Sequence, residues 1–197
     1  MQKNMKSIAI FCASASGENS VYTETAYQVG QYLAKENYQV VYGGASVGCM
    51  GAVAQGALDH GGEVIGVLPR FLNRRELAKK NLTELIMVDS MHERKLKMNE
   101  LSDASISLPG GFGTMEELFE IITWGQLGLH QKPTAILNVN GYYNHLIKFV
   151  QHMNQESLLK DKYMEMILVD NQIDQLISKM KRYKHPELEK WLTSKNT

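Results

Sequence analysis

Residues 104–117 read ASISLPGGFGTMEE, and this stretch passes from an apolar segment through a glycine-rich turn into the start of a helix. The apolar run 104–108 predicts a buried strand, because the strands of a parallel sheet are covered on both faces. Residues 109–114, called the glycine loop below, contain three glycines that let the backbone turn sharply and approach a ligand closely. Strand, turn and helix in this order predict one unit of an α/β fold.

The same order recurs along the chain, so the sequence predicts an α/β fold with a doubly wound, mostly parallel sheet and helices on both faces. We expect a single domain over residues 1–197, with a core at 6–145 and a C-terminal helical part at 146–197. Strands are predicted at 7–13, 39–42, 63–68, 84–88, 104–108 and 133–139. Helices are predicted at 21–35, 50–60, 91–101, 114–127, after residue 143 and at 171–191.

The composition narrows the functional classes. Lysine plus arginine equals aspartate plus glutamate, 21 each, and this balance argues against a general nucleic-acid binder. The apolar run 8–13 is too short for a signal-peptide core or a membrane span, so we expect a cytoplasmic protein without membrane contact. Cys12 and Cys49 are expected to be buried free thiols, and the six scattered histidines predict no metal site.

The turns after the first, second and fifth predicted strands should meet, because ligands of open parallel sheets bind at the carboxyl ends of the strands. In the glycine loop, unpaired N–H groups and the helix dipole favour an anion, and Thr114 adds a hydroxyl. No Gly-Lys-Ser/Thr closes the loop, and its glycine spacing is not that of the dinucleotide fingerprint. The alternative is a tight turn without a ligand, but three glycines and a threonine favour phosphate binding.

Two carboxylates, Glu116 and Glu117, follow the glycine loop directly. One interpretation is structural: Thr114 and Glu117 have the spacing of a capping box, and Glu116 would interact favourably with the helix dipole. The other is functional, since a glutamate in this turn can reach a ribose or a water beside the bound phosphate.

A second polar cluster occupies residues 91–95, where Ser90 and Glu93 have capping-box spacing. Arg94 and Lys95 lie in the first turns of the predicted helix, where the dipole disfavours cations. An anionic substrate or an active-site glutamate would explain them. His92 is as consistent with a surface residue as with a catalytic one.

Three ordered motifs carry a resemblance to a known family: GGASVGCMG at 43–51, MHERK at 91–95 and PGGFGTMEE at 109–117. Together they strongly resemble the LOG ("Lonely guy") family of cytokinin riboside 5′-monophosphate phosphoribohydrolases, long labelled possible lysine decarboxylases. The resemblance runs from residue 8 to about residue 144. It implies a Rossmann-like fold, a homodimer without a cofactor, and hydrolysis of a nucleoside 5′-monophosphate to the free base and ribose 5-phosphate.

By motif position, the resemblance implies that Arg94 and Glu117 are the catalytic pair. The substrate-binding residues that it implies, besides that pair, are Ser14, Glu76, Lys95, Gly111, Phe112, Gly113, Thr114, Met115, Glu116 and Thr123. The first turn departs from the family, which often has glycine where this chain has Ala13. Alanine fits there only if its φ is negative.

The chemistry suggests a mechanism, because glycosidic cleavage passes through an oxocarbenium-like sugar that a carboxylate can stabilise. We assign the water-activating base to Glu117 and ribose contacts to Glu116, and the sequence leaves open which of these adjacent glutamates is the base. Arg94 could orient Glu117 or assist the departing base through its charge, since its high pKa makes it a poor proton donor. Plain adenine and an N6-prenyl adenine both fit as the base, and its pocket could involve Met98, Phe112 or Trp124. The apolar helix 118–127 could serve an interface or the core.

Two other functions compete with hydrolysis. A nucleotide sensor or carrier would share the glycine loop without needing Arg94 and Glu117 together. A pyridoxal-dependent decarboxylase needs a Schiff-base lysine and a partner for the pyridine nitrogen, and no lysine here has such surroundings in the sequence.

Overall fold

The computed structural model describes residues 5–73, 79 and 81–187. In these residues seven strands form one sheet in the order β4-β3-β2-β1-β5-β6-β7, and all neighbouring strands pair in parallel. The strands are β1 Ser7–Phe11, β2 Gln39–Tyr42, β3 Val64–Pro69, β4 Glu84–Val88, β5 Ala104–Ser107, β6 Thr134–Leu137 and β7 Ile167–Asp170. The helices are α1 Val21–Lys35, α2 Gly48–Leu58, α3 Met91–Leu101, α4 Phe112–Gln126, α5 Asn144–Gln155, α6 Asp161–Met164 and α7 Ile173–Arg182.

The central strands are buried on both faces because helices cover each side of the sheet. In β1, Ile8 and Ile10 join the apolar cluster that α1, α2 and α7 cover, whereas Ala9 and Phe11 join the cluster below α3 and α4. Alternate side chains of a strand point to opposite faces, so one five-residue strand serves both cores. The predicted doubly wound α/β fold is confirmed.

The C-terminal part is not wholly helical, and the prediction for 146–197 was wrong in this respect. Residues 167–170 form β7, whose Ile167 and Leu168 pair with Thr134 and Ala135 of β6. Every β7 residue is half-buried, because the strand lies at the edge of the sheet. Residues 166–169 read MILV, and so short an apolar run fits a helix as well as a strand. The last predicted helix is shorter than expected, since α7 ends at Arg182.

In the described part of the chain, no helix is long and apolar enough to cross a bilayer. Cys12 and Cys49 are both buried and free, as predicted.

Candidate active site

The turns that follow β1, β2 and β5 are bonded to one another at the carboxyl edge of the sheet. Ala13 N donates to the Pro109 carbonyl (3.3 Å), Cys49 N to Ala15 O (3.3 Å) and Met50 N to Ala13 O (3.1 Å). The predicted gathering of these turns is therefore confirmed. Ala13 is not among the described residues with positive φ, so alanine is accommodated at this position without strain.

The glycine loop exposes backbone donors at the start of α4. The helix is capped by Gly111 and begins at Phe112, two residues earlier than predicted, and its first internal bond runs from Met115 N to Gly111 O (3.1 Å). The N–H groups of Phe112, Gly113 and Thr114 therefore have no acceptor within the helix. Such donors at the positive end of the dipole suit a phosphate.

This helix start also corrects the capping-box interpretation of Thr114 and Glu117. Thr114 is the third residue of α4 and is buried, so it is not the cap. The other predicted box is present in part, since Glu93 N donates to Ser90 Oγ (3.1 Å). Its glutamate accepts from Asp89 N (2.8 Å) rather than from Ser90 N.

Arg94 and Glu117 form a buried ion pair, with Arg94 Nη1 3.2 Å from Glu117 Oε1 and both side chains about 5% exposed. Arg94 Nε also donates to the Val67 carbonyl within β3 (3.2 Å). On its third side the guanidinium lies against Gly43, where a β-carbon would overlap Nη2. The arginine is thus fixed on three sides and is suited to orientation and charge stabilisation, since guanidinium does not lose its proton.

Burial raises the pKa of Glu117 to about 7, although Arg94 acts in the opposite direction. The nearby carboxylates of Glu116 and Glu120 add to the rise. A carboxylate poised near neutrality is suited to general acid–base chemistry. Burial likewise raises the pKa of the Cys12 thiol well above its usual range.

Lys95 is buried and binds two carboxylates of α4. Its ammonium pairs with Glu116 and with Glu120, the latter at 2.9 Å. Burial lowers the pKa of Lys95, but the hydrogen bonds to the two carboxylates outweigh this effect and leave the pKa raised. Sequence analysis missed Glu120, although it lies one turn after Glu116 and hence on the same helix face.

A cavity of about 360 Å³ brings most of the predicted site together. Arg94, Glu117, Ser14 and four glycine-loop residues line it, the last being Gly111, Phe112, Gly113 and Thr114. The cavity is within the size range of small-ligand sites. Its further walls, which sequence analysis did not identify, include Cys12, Met50, Leu72 and Met91.

Several predicted residues lie elsewhere. Met115 packs beside the apolar cluster of Leu118, Ile136 and Tyr143, and its N–H is used within the helix, so the expectation of substrate contact is not supported. Glu76 lies outside the described residues.

Thr123 is exposed and donates to Phe119 O (2.7 Å), and it does not line the cavity. It shares a face of α4 with Glu116 and Glu120. His92 is an exposed surface residue. Three residues were suggested for the base pocket. Phe112 lines the cavity and is 96% exposed, whereas Met98 and Trp124 pack in the apolar cluster below α3 and α4.

An open, all-parallel sheet with helices on both faces and a cavity at the carboxyl ends of its strands defines a Rossmann-like α/β protein. Residues 50–180 match the family described as "Possible lysine decarboxylase". The chain is 43% identical over 184 residues to the cytokinin riboside 5′-monophosphate phosphoribohydrolase LOG3 of Arabidopsis thaliana, covering 93% of this chain and 86% of that protein. The chain belongs to this LOG family.

Other relatives agree with this assignment. A probable cytokinin riboside 5′-monophosphate phosphoribohydrolase, LOGL2 of Oryza sativa subsp. japonica, is 40% identical over 96% of this chain and 78% of its own length. Among solved structures, the molybdenum cofactor binding protein of Rippkaea orientalis superposes with a TM-score of 0.68 at 22% identity, covering 90% of this chain and 96% of that one. This last likeness concerns the fold alone.

Proposed function

We propose that this enzyme hydrolyses the N-glycosidic bond of a nucleoside 5′-monophosphate and releases the free base and ribose 5-phosphate. The observation that carries the proposal is that one cavity contains both the donors of the glycine loop and the buried Arg94–Glu117 pair. The loop would anchor the 5′-phosphate, and this anchoring would place C1′ of the ribose near the carboxylate. The relatives named as phosphoribohydrolases support the same reaction.

In the proposed reaction the bond between C1′ and the base nitrogen breaks, and the base leaves with the bonding electron pair. Glu117 stabilises the oxocarbenium-like ribose and takes a proton from the water whose oxygen attacks C1′. The departing base takes up a proton, so one water is consumed for each bond broken. Arg94 keeps the Glu117 carboxylate in place. Glu116, which pairs with Lys95 and is not among the residues that line the cavity, would contact the ribose hydroxyls.

The substrate is proposed to be AMP or a cytokinin riboside 5′-monophosphate, because the relatives' names specify the latter. Product analysis on nucleoside mono-, di- and triphosphates, with and without an N6-prenyl group, tests both the reaction and the base preference. Release of base and ribose 5-phosphate from monophosphates is expected. Tight binding without product would instead favour a nucleotide sensor or carrier.

We also propose a cytoplasmic homodimer. Leu96 on α3, Phe119 on α4 and Leu127 just after α4 are large apolar side chains that are 50%, 37% and 44% exposed. A second copy covering them would remove this apolar surface from water. Light scattering after gel filtration should give twice the chain mass, and Leu127→Glu should shift the protein towards the monomer. A monomeric wild type would refute the dimer.

The free thiols of Cys12 and Cys49 suit a reducing compartment, which supports the proposed cytoplasmic location.

A further inference from the structure

Two adjacent tyrosines contact the backbone in the glycine loop and at the residue just before it. Both belong to the segment that joins β6 to α5. The Tyr143 hydroxyl donates to the Leu108 carbonyl (2.6 Å), and the Tyr142 hydroxyl donates to the Gly110 carbonyl (2.8 Å). Tyr142 lines a second, smaller cavity together with Tyr22, and neither tyrosine lines the cavity that holds Arg94. The two cavities adjoin, since Ala13, Ala15 and Gly111 line both, and the Tyr142 hydroxyl bonds to the main chain of the loop.

The carbonyls between and after these two are also occupied. Pro109 O accepts from Ala13 N (3.3 Å), and Gly111 O accepts from Met115 N (3.1 Å). Four consecutive carbonyls, from residue 108 to residue 111, thus accept hydrogen bonds, the first three from other parts of the protein and the fourth from α4 itself. Among the described residues, no backbone or side-chain acceptor is bonded to the N–H groups of residues 110–114. The carbonyl oxygens of residues 108–111 are therefore occupied, whereas the N–H groups of residues 110–114 remain available to a ligand.

The tyrosines are themselves firmly positioned. Asn138 Oδ1 accepts from Tyr143 N (2.8 Å), and Asn138 Nδ2 donates to Asn144 Oδ1 (2.8 Å). The Tyr142 ring meets the Tyr143 ring edge to face at 5.0 Å and the Tyr22 ring at 5.6 Å. Tyr143 is 1% exposed and Tyr142 is 43% exposed. Removal of the Tyr142 hydroxyl can therefore be tested without disturbing the core.

We propose that Tyr142 is a positioning residue for the phosphate of the substrate, acting through the Gly110 carbonyl, with Tyr143 supporting Leu108 in the same way. A carbonyl oxygen that pointed towards the anion would repel it. A hydrogen bond from a tyrosine hydroxyl to that oxygen keeps the peptide oriented with its N–H groups towards the phosphate. The proposal rests on the phosphate-binding part of the proposed function, and it does not require hydrolysis.

The test compares Tyr142→Phe with Tyr22→Phe, whose hydroxyl makes no hydrogen bond to the described residues although its ring packs on Tyr142. Calorimetry with AMP, ribose 5-phosphate and adenosine measures binding separately from turnover. We expect Tyr142→Phe to weaken AMP and ribose 5-phosphate by roughly 3- to 10-fold, the effect of one lost hydrogen bond, and to leave adenosine unchanged. In turnover the KM for AMP should rise by the same factor with kcat nearly constant. Tyr22→Phe should resemble the wild type.

Equal binding of AMP by Tyr142→Phe and wild type would overturn the proposal, and so would equal weakening of AMP and adenosine. Thermal unfolding tests folding, and only Tyr143→Phe is expected to lower Tm by several degrees, since it leaves a buried carbonyl without its donor. If the wild type binds AMP without hydrolysing it, the hydrolase function fails, while a selective loss of AMP binding in Tyr142→Phe still supports the positioning role.

Discussion

Replacing Gly43 by alanine tests whether the position of the Arg94 guanidinium limits the reaction. Gly43 directly follows β2, and a β-carbon there would overlap Arg94 Nη2 and lie 3.1 Å from Arg94 Cζ and 3.0 Å from Met50 Sδ. The guanidinium would have to retreat by about 1 Å or more to reach ordinary contact distance. Its bonds to the Val67 carbonyl and to Glu117 are both 3.2 Å, so such a retreat takes them out of hydrogen-bonding range.

We expect kcat for AMP to fall by about 100-fold in Gly43→Ala, because a misplacement of about 1 Å in a catalytic arrangement has an effect of that order. The assay is adenine release under saturating AMP, with Tm measured in parallel. Gly125→Ala is the matched control: it also adds a methyl group to a buried glycine, but its β-carbon meets the flexible end of Met166 at 2.9 Å and the His130 ring at 3.2 Å rather than Arg94. Its kcat should stay within a few-fold of the wild type.

A double-mutant cycle with Arg94→Ala gives the decisive comparison. Without the guanidinium the alanine at position 43 has little left to displace, so Gly43→Ala should reduce the residual activity of Arg94→Ala by only a few-fold. The same 100-fold loss in both backgrounds, or an unchanged kcat in the single variant, would refute the claim that Gly43 acts by making room for Arg94.

Three further predictions concern the carboxylates of α4. Glu117→Gln should lower kcat by roughly 10²- to 10⁴-fold, which is the range for loss of a general base, whereas Glu116→Gln should mainly raise KM. The reverse result in a hydrolysis assay would exchange the roles of the two glutamates. Because Glu117 must be ionised to accept a proton, kcat/KM should rise with pH to a plateau, with a midpoint at about pH 7, where burial places its pKa; a flat profile through neutrality would contradict this. Glu120→Gln removes one of the two carboxylates on Lys95 and one of the charges that raise the pKa of Glu117, so the midpoint should move to lower pH. An unmoved midpoint would show that Glu120 does not act on Glu117.

Local patterns predicted most of the fold. The helix 21–35 and the strand 39–42 were predicted with the bounds that the structure has, because their apolar spacing and flanking turn residues are local signals. The edge strand β7 was missed because the short apolar run 166–169 fits a helix as well as a strand, and the strand depends on pairing with β6, more than thirty positions earlier.

The site was predictable where the backbone alone determines the chemistry. The glycine loop was recognised because three glycines between a buried strand and a helix start are typical of a turn that binds an anion. The capping-box interpretation of Glu117 failed because α4 begins at Phe112, so that Thr114 is not the cap, and the Glu117 carboxylate pairs instead with the distant Arg94. The Val67 carbonyl, Gly43 and the Tyr142 hydroxyl carry no local signal, since each matters only through a neighbour that the fold brings close.

The open donors of residues 110–114 have a consequence for how the protein responds to acidity. They are backbone amides, which carry no titratable proton in the working range of an enzyme, so phosphate anchoring should follow only the ligand's own second ionisation, at about pH 6. Bond cleavage should instead follow Glu117. Substrate binding and hydrolysis would then respond to two different proton equilibria, one belonging to the ligand and one to the protein.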